Sequence, residues 1–266
     1  MRVIELHYSN TNTYLIEGDC GFLLFDTGLA GTFPAFCRSM GELKIPIQAI
    51  DRILISHFHP DHCGIAQQIA NEGAVILVPD VQLQHIHDAD AIFIKDADKE
   101  HFSIIDEKIR MFPIEDGRRI LSEIGINGEI VHTPGHSDDS VSLFLDDGSL
   151  FVGDLNPLYE LELHKGTQVE TSWNMLLSLH PKTVYYGHAK TADIIKAKAE
   201  PVACNEITYK AVSGLLKLID KGCDLSRIQK KTGLDKDFIE DVTRMYLTHR
   251  DISVQGILDR IEIKNR

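Results

Sequence analysis

Four metal-capable side chains fall within six residues in the stretch Ser56-His57-Phe58-His59-Pro60-Asp61-His62. Buried without partners, imidazoles and a carboxylate are costly; exposed, they have no reason to crowd. The pattern suits a cation better than a core. Three further candidates each follow an apolar run and a small residue: His136 in Thr133-Pro134-Gly135-His136, Asp154 in Phe151-Val152-Gly153-Asp154, and His188 in Tyr185-Tyr186-Gly187-His188. The preceding glycines let the backbone turn sharply beside a site. Seven N/O donors are too many for one tetrahedral zinc but suit two metals a few ångströms apart. Such a pair lowers the pKa of a bridging water and polarises a carbonyl or phosphoryl oxygen, which is the chemistry of hydrolysis. No G-x-S-x-G elbow is present to point to a serine nucleophile instead.

These residues need strands to hold them. Ile53 to Ser56 is a short apolar run of the kind buried on both faces, so His57 opens a loop at a strand end. Alternation puts His57 and His59 on one side, and the turn through Pro60 brings Asp61 and His62 back toward them. Val3 to Leu6, Asn12 to Glu17 and Gly21 to Asp26 read as three earlier strands, punctuated by Ser9-Asn10 and Gly18-Asp19. Ile65 to Asn71 reads as a helix ended by Gly73, and Ala74 to Val78 as the next strand. Residues 80–128 are helical in tone. Glu129 to Thr133, Ser140 to Leu145, Leu150 to Gly153 and Thr183 to Gly187 complete the strands. Strands interleaved with helices imply layered α/β packing.

The 266 residues are 43% hydrophobic and 25% charged, with a formal net charge of −13. That composition belongs to an ordinary globular chain and excludes a collagen-like or wholly disordered one. No apolar run reaches the ~20 residues that span a bilayer, and Met1 to His7 holds no apolar signal segment. Five scattered cysteines (Cys20, Cys37, Cys63, Cys204, Cys223) read as free thiols in a reducing cytoplasm. Residues 206–266 carry 12 basic and 10 acidic side chains, leaving −15 on residues 1–205. A surface that acidic repels phosphate backbones, so a small-molecule substrate is expected rather than nucleic acid. The division implies a catalytic domain over 1–200 and a helical extension over 201–266, with a boundary near Pro201. Within the extension, Leu225 to Lys231, Thr232-Gly233-Leu234 and Asp235 to Leu247 read as helix, turn, helix. The near-balanced charge favours simple packed helices over a DNA reader, and these helices are where substrate choice or homodimer contacts would lie.

The ordered set H-x-H-x-D-H at 57–62, T-P-G-H at 133–136, G-D at 153–154 and G-H at 187–188 resembles the metallo-β-lactamase superfamily, as does Phe25-Asp26-Thr27-Gly28. The resemblance covers roughly residues 1–200. It implies a four-layer αββα sandwich with the metals at one edge, here followed by a C-terminal helical extension. Carried over residue by residue, it implies that His57, His59 and His136 bind one metal and that Asp61, His62 and His188 bind the other, with Asp154 bridging. It further suggests that Asp26 orients a ligand histidine, against a plain turn residue before Thr27-Gly28, and that Tyr159 donates to a substrate carbonyl, as in lactonases of the superfamily, against plain packing or surface. Zinc is the default ion, with iron and manganese compatible with N/O donors. Asp61 would also accept a hydrogen bond from the attacking hydroxide.

The expected reaction is hydrolysis of a small thioester, lactone or amide. Phosphodiester cleavage, iron-dependent sulfur dioxygenation and a non-catalytic sensor role are the alternatives. His85-Ile86-His87 repeats the H-x-H spacing without the following Asp-His and reads as helix surface or lid. His132 reads as structural, Cys63 as a buried small residue and Trp173 as a helix anchor.

Overall fold

The structure, a computed structural model, describes residues 1–93, 103–197, 206–249 and 251–264. The expected boundary near Pro201, together with Cys204 and His101, lies outside the described residues.

The elements run β1 (Arg2–Leu6), β2 (Thr13–Glu17), β3 (Phe22–Phe25), α1 (Phe33–Leu43), β4 (Ile50–Leu54), α2 (Pro60–Cys63), α3 (Ala66–Asn71), β5 (Val75–Pro79), α4 (Asp90–Phe93), β6 (Ile109–Phe112), α5 (Gly117–Ser122), β7 (Gly128–His132), β8 (Val141–Leu145), β9 (Ser149–Phe151), α6 (Gln168–Ser178), β10 (Thr183–Tyr185), β11 (Ala192–Asp193), α7 (Ile194–Ala197), α8 (Glu206–Asp220), α9 (Leu225–Thr232), α10 (Lys236–Thr248) and α11 (Val254–Lys264). One sheet is ordered β1-β2-β3-β4-β5-β6, the other β11-β10-β9-β8-β7. The first begins antiparallel and becomes parallel from β3 onward. In the second, β9 and β10 are parallel while the other pairs are antiparallel.

Side-chain alternation sorts the core into layers. Tyr14, Ile16, Leu23, Phe25, Leu54 and Leu77 of the first sheet meet Ile130, Val141, Leu143 and Phe151 of the second. Their strand neighbours Leu15, Leu24, Ile53 and Ile76 point the other way and pack on Phe36, Met40 and Ile69 of α1 and α3. On the far side, Leu150 and Val184 pack on Trp173 and Leu176 of α6. The result is helix, sheet, sheet, helix, the αββα order implied by the resemblance.

The segment 80–128, expected to be helical, also contributes β6, paired parallel to β5 at the sheet edge. Only four residues long, Ile-Arg-Met-Phe shows too little alternation to stand out from its surroundings.

The C-terminal helices form a separate apolar cluster around Val212, Leu215, Ile228, Ile239, Val242 and Ile257. Asp224 caps α9 and Asp235 caps α10 by accepting backbone N–H bonds. Between them Gly233, at φ +68°, makes the left-handed stop that turns the chain. The helix–turn–helix segment is therefore part of a packed helical cluster.

Candidate metal centre

Each half of the sandwich sends its loops to one edge. From the first sheet, β4 leads into Ser56 and His57, and His59 stands in extended conformation as the N-cap residue of α2, with Pro60 opening the helix. From the second, His136 follows β7, Asp154 follows β9 and His188 follows β10. Because β9 and β10 are parallel neighbours, their exits lie side by side, and Gly187 N–H donates to the Gly153 carbonyl at 2.7 Å. A Cβ on Gly187 would stand 2.6 Å from Asp154 Oδ1 and 2.9 Å from His62 Cε1, so only glycine lets the two loops close on the site.

The seven predicted donors converge. His59 Nδ1 lies 2.9 Å from His57 Nε2 and 3.1 Å from His136 Nε2. Asp61 Oδ2 lies 2.9 Å from His188 Nε2 and 3.9 Å from His62 Nε2. Asp154 stands between the two groups. Its Oδ1 is 3.2 Å from His62 Nε2 and 3.5 Å from His188 Nε2, while its Oδ2 is 3.6 Å from His136 Nε2. Three overlapping sets have donor atoms mutually within 4.8 Å: His57, His59 and His136; His57, His62 and Asp154; Asp61, His62 and His188.

A buried hydrogen-bond network supports these donors. Asp26, at φ +61° just beyond β3, sets Oδ2 2.8 Å from His62 Nδ1. It accepts from the Ser56 amide at 2.7 Å and the Ser56 hydroxyl at 2.9 Å. The same hydroxyl lies 3.0 Å from His57 Nδ1, so one Asp–Ser pair steadies both rings. Two supporting residues escape a sequence reading. Asp139 accepts the Phe58 N–H at 2.7 Å, fixing the backbone between His57 and His59. The Asn12 side chain donates at 3.0 Å to the carbonyls of Tyr186 and Ala189, bracketing His188. The Ser137-Asp138-Asp139-Ser140 run after His136 is a weak signal for the first; nothing in the sequence marks the second.

The site's electrostatics call for a cation. Burial depresses His57, and the neighbouring His62 and His136 imidazoles add to the effect. Burial likewise brings His136 down to about 4. For His62, burial acts downward but is outweighed by Asp154, Asp26 and Asp61, which raise it. Burial would raise Asp154, yet His188 and His62 hold it well below the usual carboxylate range. His62 Nε2 and Asp154 Oδ1 are both buried without a hydrogen-bond partner, though 3.2 Å apart. Buried polar atoms left unpaired at this separation fit ligands of a shared ion. The donors are all nitrogen and oxygen, a set that suits zinc, iron or manganese.

Tyr159 is not among these donors: its hydroxyl donates at 2.9 Å to Asp259 of α11, at the junction with the C-terminal helices. His132 Nε2 lies 2.8 Å from the Asp138 carbonyl, in a structural role. His85 and His87 are surface residues beside Asp88 and Asp90. Cys63 is buried. Trp173 anchors α6 by donating to the Asn156 carbonyl at 2.8 Å. His164 and His249, which show no pattern in the sequence, line a cavity of about 910 Å³ over the donor cluster. Among the described residues no helix is long and apolar enough to cross a membrane.

Comparison with known proteins gives a consistent picture. The sequence profile of the metallo-beta-lactamase superfamily matches residues 8–188. A beta-lactamase-like protein 2 homolog of Drosophila melanogaster is 30% identical over 191 residues, covering 69% of this chain and 60% of that protein. An atrochrysone carboxyl ACP thioesterase of Aspergillus fumigatus is 28% identical over 208 residues, covering 76% of this chain and 42% of that protein. A crystal structure in a di-iron-bound form shares the fold, with TM-score 0.56 and 22% identity over 76% of this chain and 99% of that one. The chain spans 59–61% of the length of the first curated relatives it matches.

Proposed function

The chain belongs to the metallo-beta-lactamase superfamily, and on that premise we propose that it uses a pair of divalent cations to hydrolyse a small carbonyl substrate: a thioester, lactone or amide. The observation that carries this reading is the posture of Asp154. One carboxylate oxygen faces His62 and His188 and the other faces His136. A carboxylate whose oxygens address two imidazole groups is placed to bridge two ions. His57, His59 and His136 would hold one and Asp61, His62 and His188 the other, with zinc the default and iron or manganese compatible. The likeness to a thioesterase supports an acyl substrate, and the di-iron form of a structural neighbour supports a two-metal site.

When bound, the ions supply Lewis acidity and a nucleophile at neutral pH. The protein's own residues do the rest. Asp26 accepts from His62 Nδ1 and so presents Nε2 as a lone pair. Ser56 ties that carboxylate to His57. Asp61, which lines the cavity beside His188, can accept a proton or hydrogen bond from the attacking water. Residues of α10 and α11, among them Met245 and Arg260, line the cavity beside these donors and would bound the substrate there.

Metal analysis and a substrate panel test this. The expectation is two metal equivalents per chain, falling in Asp154→Asn, with turnover of thioesters or lactones. Metal-loaded protein inert on both substrate classes would overturn it.

A further inference from the structure

The roof of the cavity carries basic side chains, and they are not equivalent. Arg244 of α10 pairs with Asp241 at 3.0 Å, and Lys264 of α11 pairs with the other oxygen of Asp241. Both lean on this one carboxylate, so each has an ion-pair partner although a single negative charge faces two positive ones. Arg260 of α11 is half-buried and lines the 910 Å³ cavity together with His59, Asp61, His136, Asp154 and His188. Among the described residues it has no carboxylate within 4.0 Å and no hydrogen bond. A guanidinium has five donors and never deprotonates in a protein, so half-burying one without an anion is costly unless a ligand supplies it. The helix that carries it is held in place. Asp259 beside it accepts from Tyr159 at 2.9 Å and Gln255 at 2.8 Å, Glu160 accepts the Ser253 N–H at 2.8 Å, and Lys190 pairs with Glu262 at 2.7 Å. A Cβ on Gly256 would collide with Glu160 Oε1, so α11 lies close against the sandwich. Burial and then the charge of Arg260 depress His249, which lines the same cavity and adds no competing cation.

We propose that Arg260 is the anion-binding residue of the cavity, and that the substrate bears a carboxylate or phosphate group that pairs with it. The proposal rests on the hydrolase reading of the site and names its substrate class. It also gives the C-terminal helices a role: they place a guanidinium without a carboxylate partner beside the donor cluster, in a chain of net charge −13.

The test uses metal-loaded wild type, Arg260→Ala and Arg260→Lys at matched metal content. One arm compares succinyl, 3-phosphonopropionyl and butyryl thioesters of N-acetylcysteamine, which differ only in the acyl terminus. A second compares butyryl thioesters of pantetheine and 4′-phosphopantetheine, placing the anion on the thiol side. A third measures binding isotherms of succinate and inorganic phosphate. Arg260→Ala is expected to lose about 10- to 100-fold in kcat/KM, mostly through KM, on the preferred anionic substrate, with about twofold or less on its neutral partner. Arg260→Lys is expected to recover part of the loss. The carboxylate and phosphonate compounds tell which anion is taken. Equal losses on anionic and neutral substrates, or isotherms unchanged by the substitution, would overturn the proposal. If no thioester turns over, the hydrolase reading falls separately, and the isotherms alone decide the anion site.

Discussion

Asp26 Oδ2 and His62 Nδ1 face each other at 2.8 Å with both side chains closed off from solvent. The contact fixes which imidazole nitrogen turns toward the donor cluster. Asp26→Asn keeps the size and tolerates the left-handed backbone at φ +61°. Its amide nitrogen, however, can face Nδ1 and push the proton to Nε2. Metal affinity is expected to fall about 10- to 100-fold, read by competition with a chromogenic chelator. An unchanged affinity would show that Asp26 acts only as a turn residue.

Gly187 makes a second, steric prediction. Gly187→Ala puts a methyl group into contact with Asp154 Oδ1 and His62 Cε1. Metal content and turnover are both expected to collapse. Gly41→Ala is the matched control, since a Cβ there meets nothing within 4 Å and α1 gains roughly 0.5–1 kcal/mol of helix preference. A fully metallated Gly187→Ala protein would refute the close approach of the two loops.

The hydroxyl of Tyr159 is engaged by Asp259, which separates structural from chemical roles. Tyr159→Phe is expected to cost about 1–3 kcal/mol in chemical denaturation, the range for a hydrogen bond to a buried charged group. With its hydroxyl engaged by Asp259, hydrolysis of a neutral substrate is expected to change by about twofold or less. A large drop in kcat with stability intact would return Tyr159 to the substrate.

Asp259 sets a pH dependence. Burial raises its carboxyl, against the opposing hydrogen bonds from Gln255 and Tyr159. A carboxyl raised in the folded state contributes stability below its unfolded value of about 3.9, and that contribution is lost as pH rises through the folded value. Asp259→Asn should therefore gain on wild type at pH 7 and lose the advantage near pH 4, with both proteins stripped of metal so that the site's own titration cancels. A difference in denaturation midpoint that does not vary with pH would count against this.

The sequence carried the donors more readily than their supports. Residue types able to ligate a metal are few, and here they sit directly after apolar strands, so His57 to His62, His136, Asp154 and His188 stand out and the structure draws them together. Asp139 and Asn12 act through a backbone amide and two carbonyls, partners that sequence periodicity cannot display. Strand ends shift by up to three residues: the run read as Ile53 to Ser56 is β4, Ile50–Leu54, because Ser56 has left the ladder to meet Asp26. The short edge strand β6 and the amphipathic helix α1 passed unread, the first for want of length and the second because no chemistry drew attention to it. Arg260 looks like any exposed face of α11 until the fold brings that helix over the cavity.

The bond from Asn12 N–H to the Gly187 carbonyl, at 2.8 Å, has a bearing on how the protein is made. It joins the second strand to the last loop of the site, and the Asn12 side chain closes the same loop on a residue 177 positions away. A ribosome delivers the chain from the N-terminus, so the cluster at 57–62 emerges long before His188 can join it. Until then the donor set lacks His188. The seven donors can come together only after residue 188 has left the exit tunnel, and the helix bearing Arg260 emerges later still.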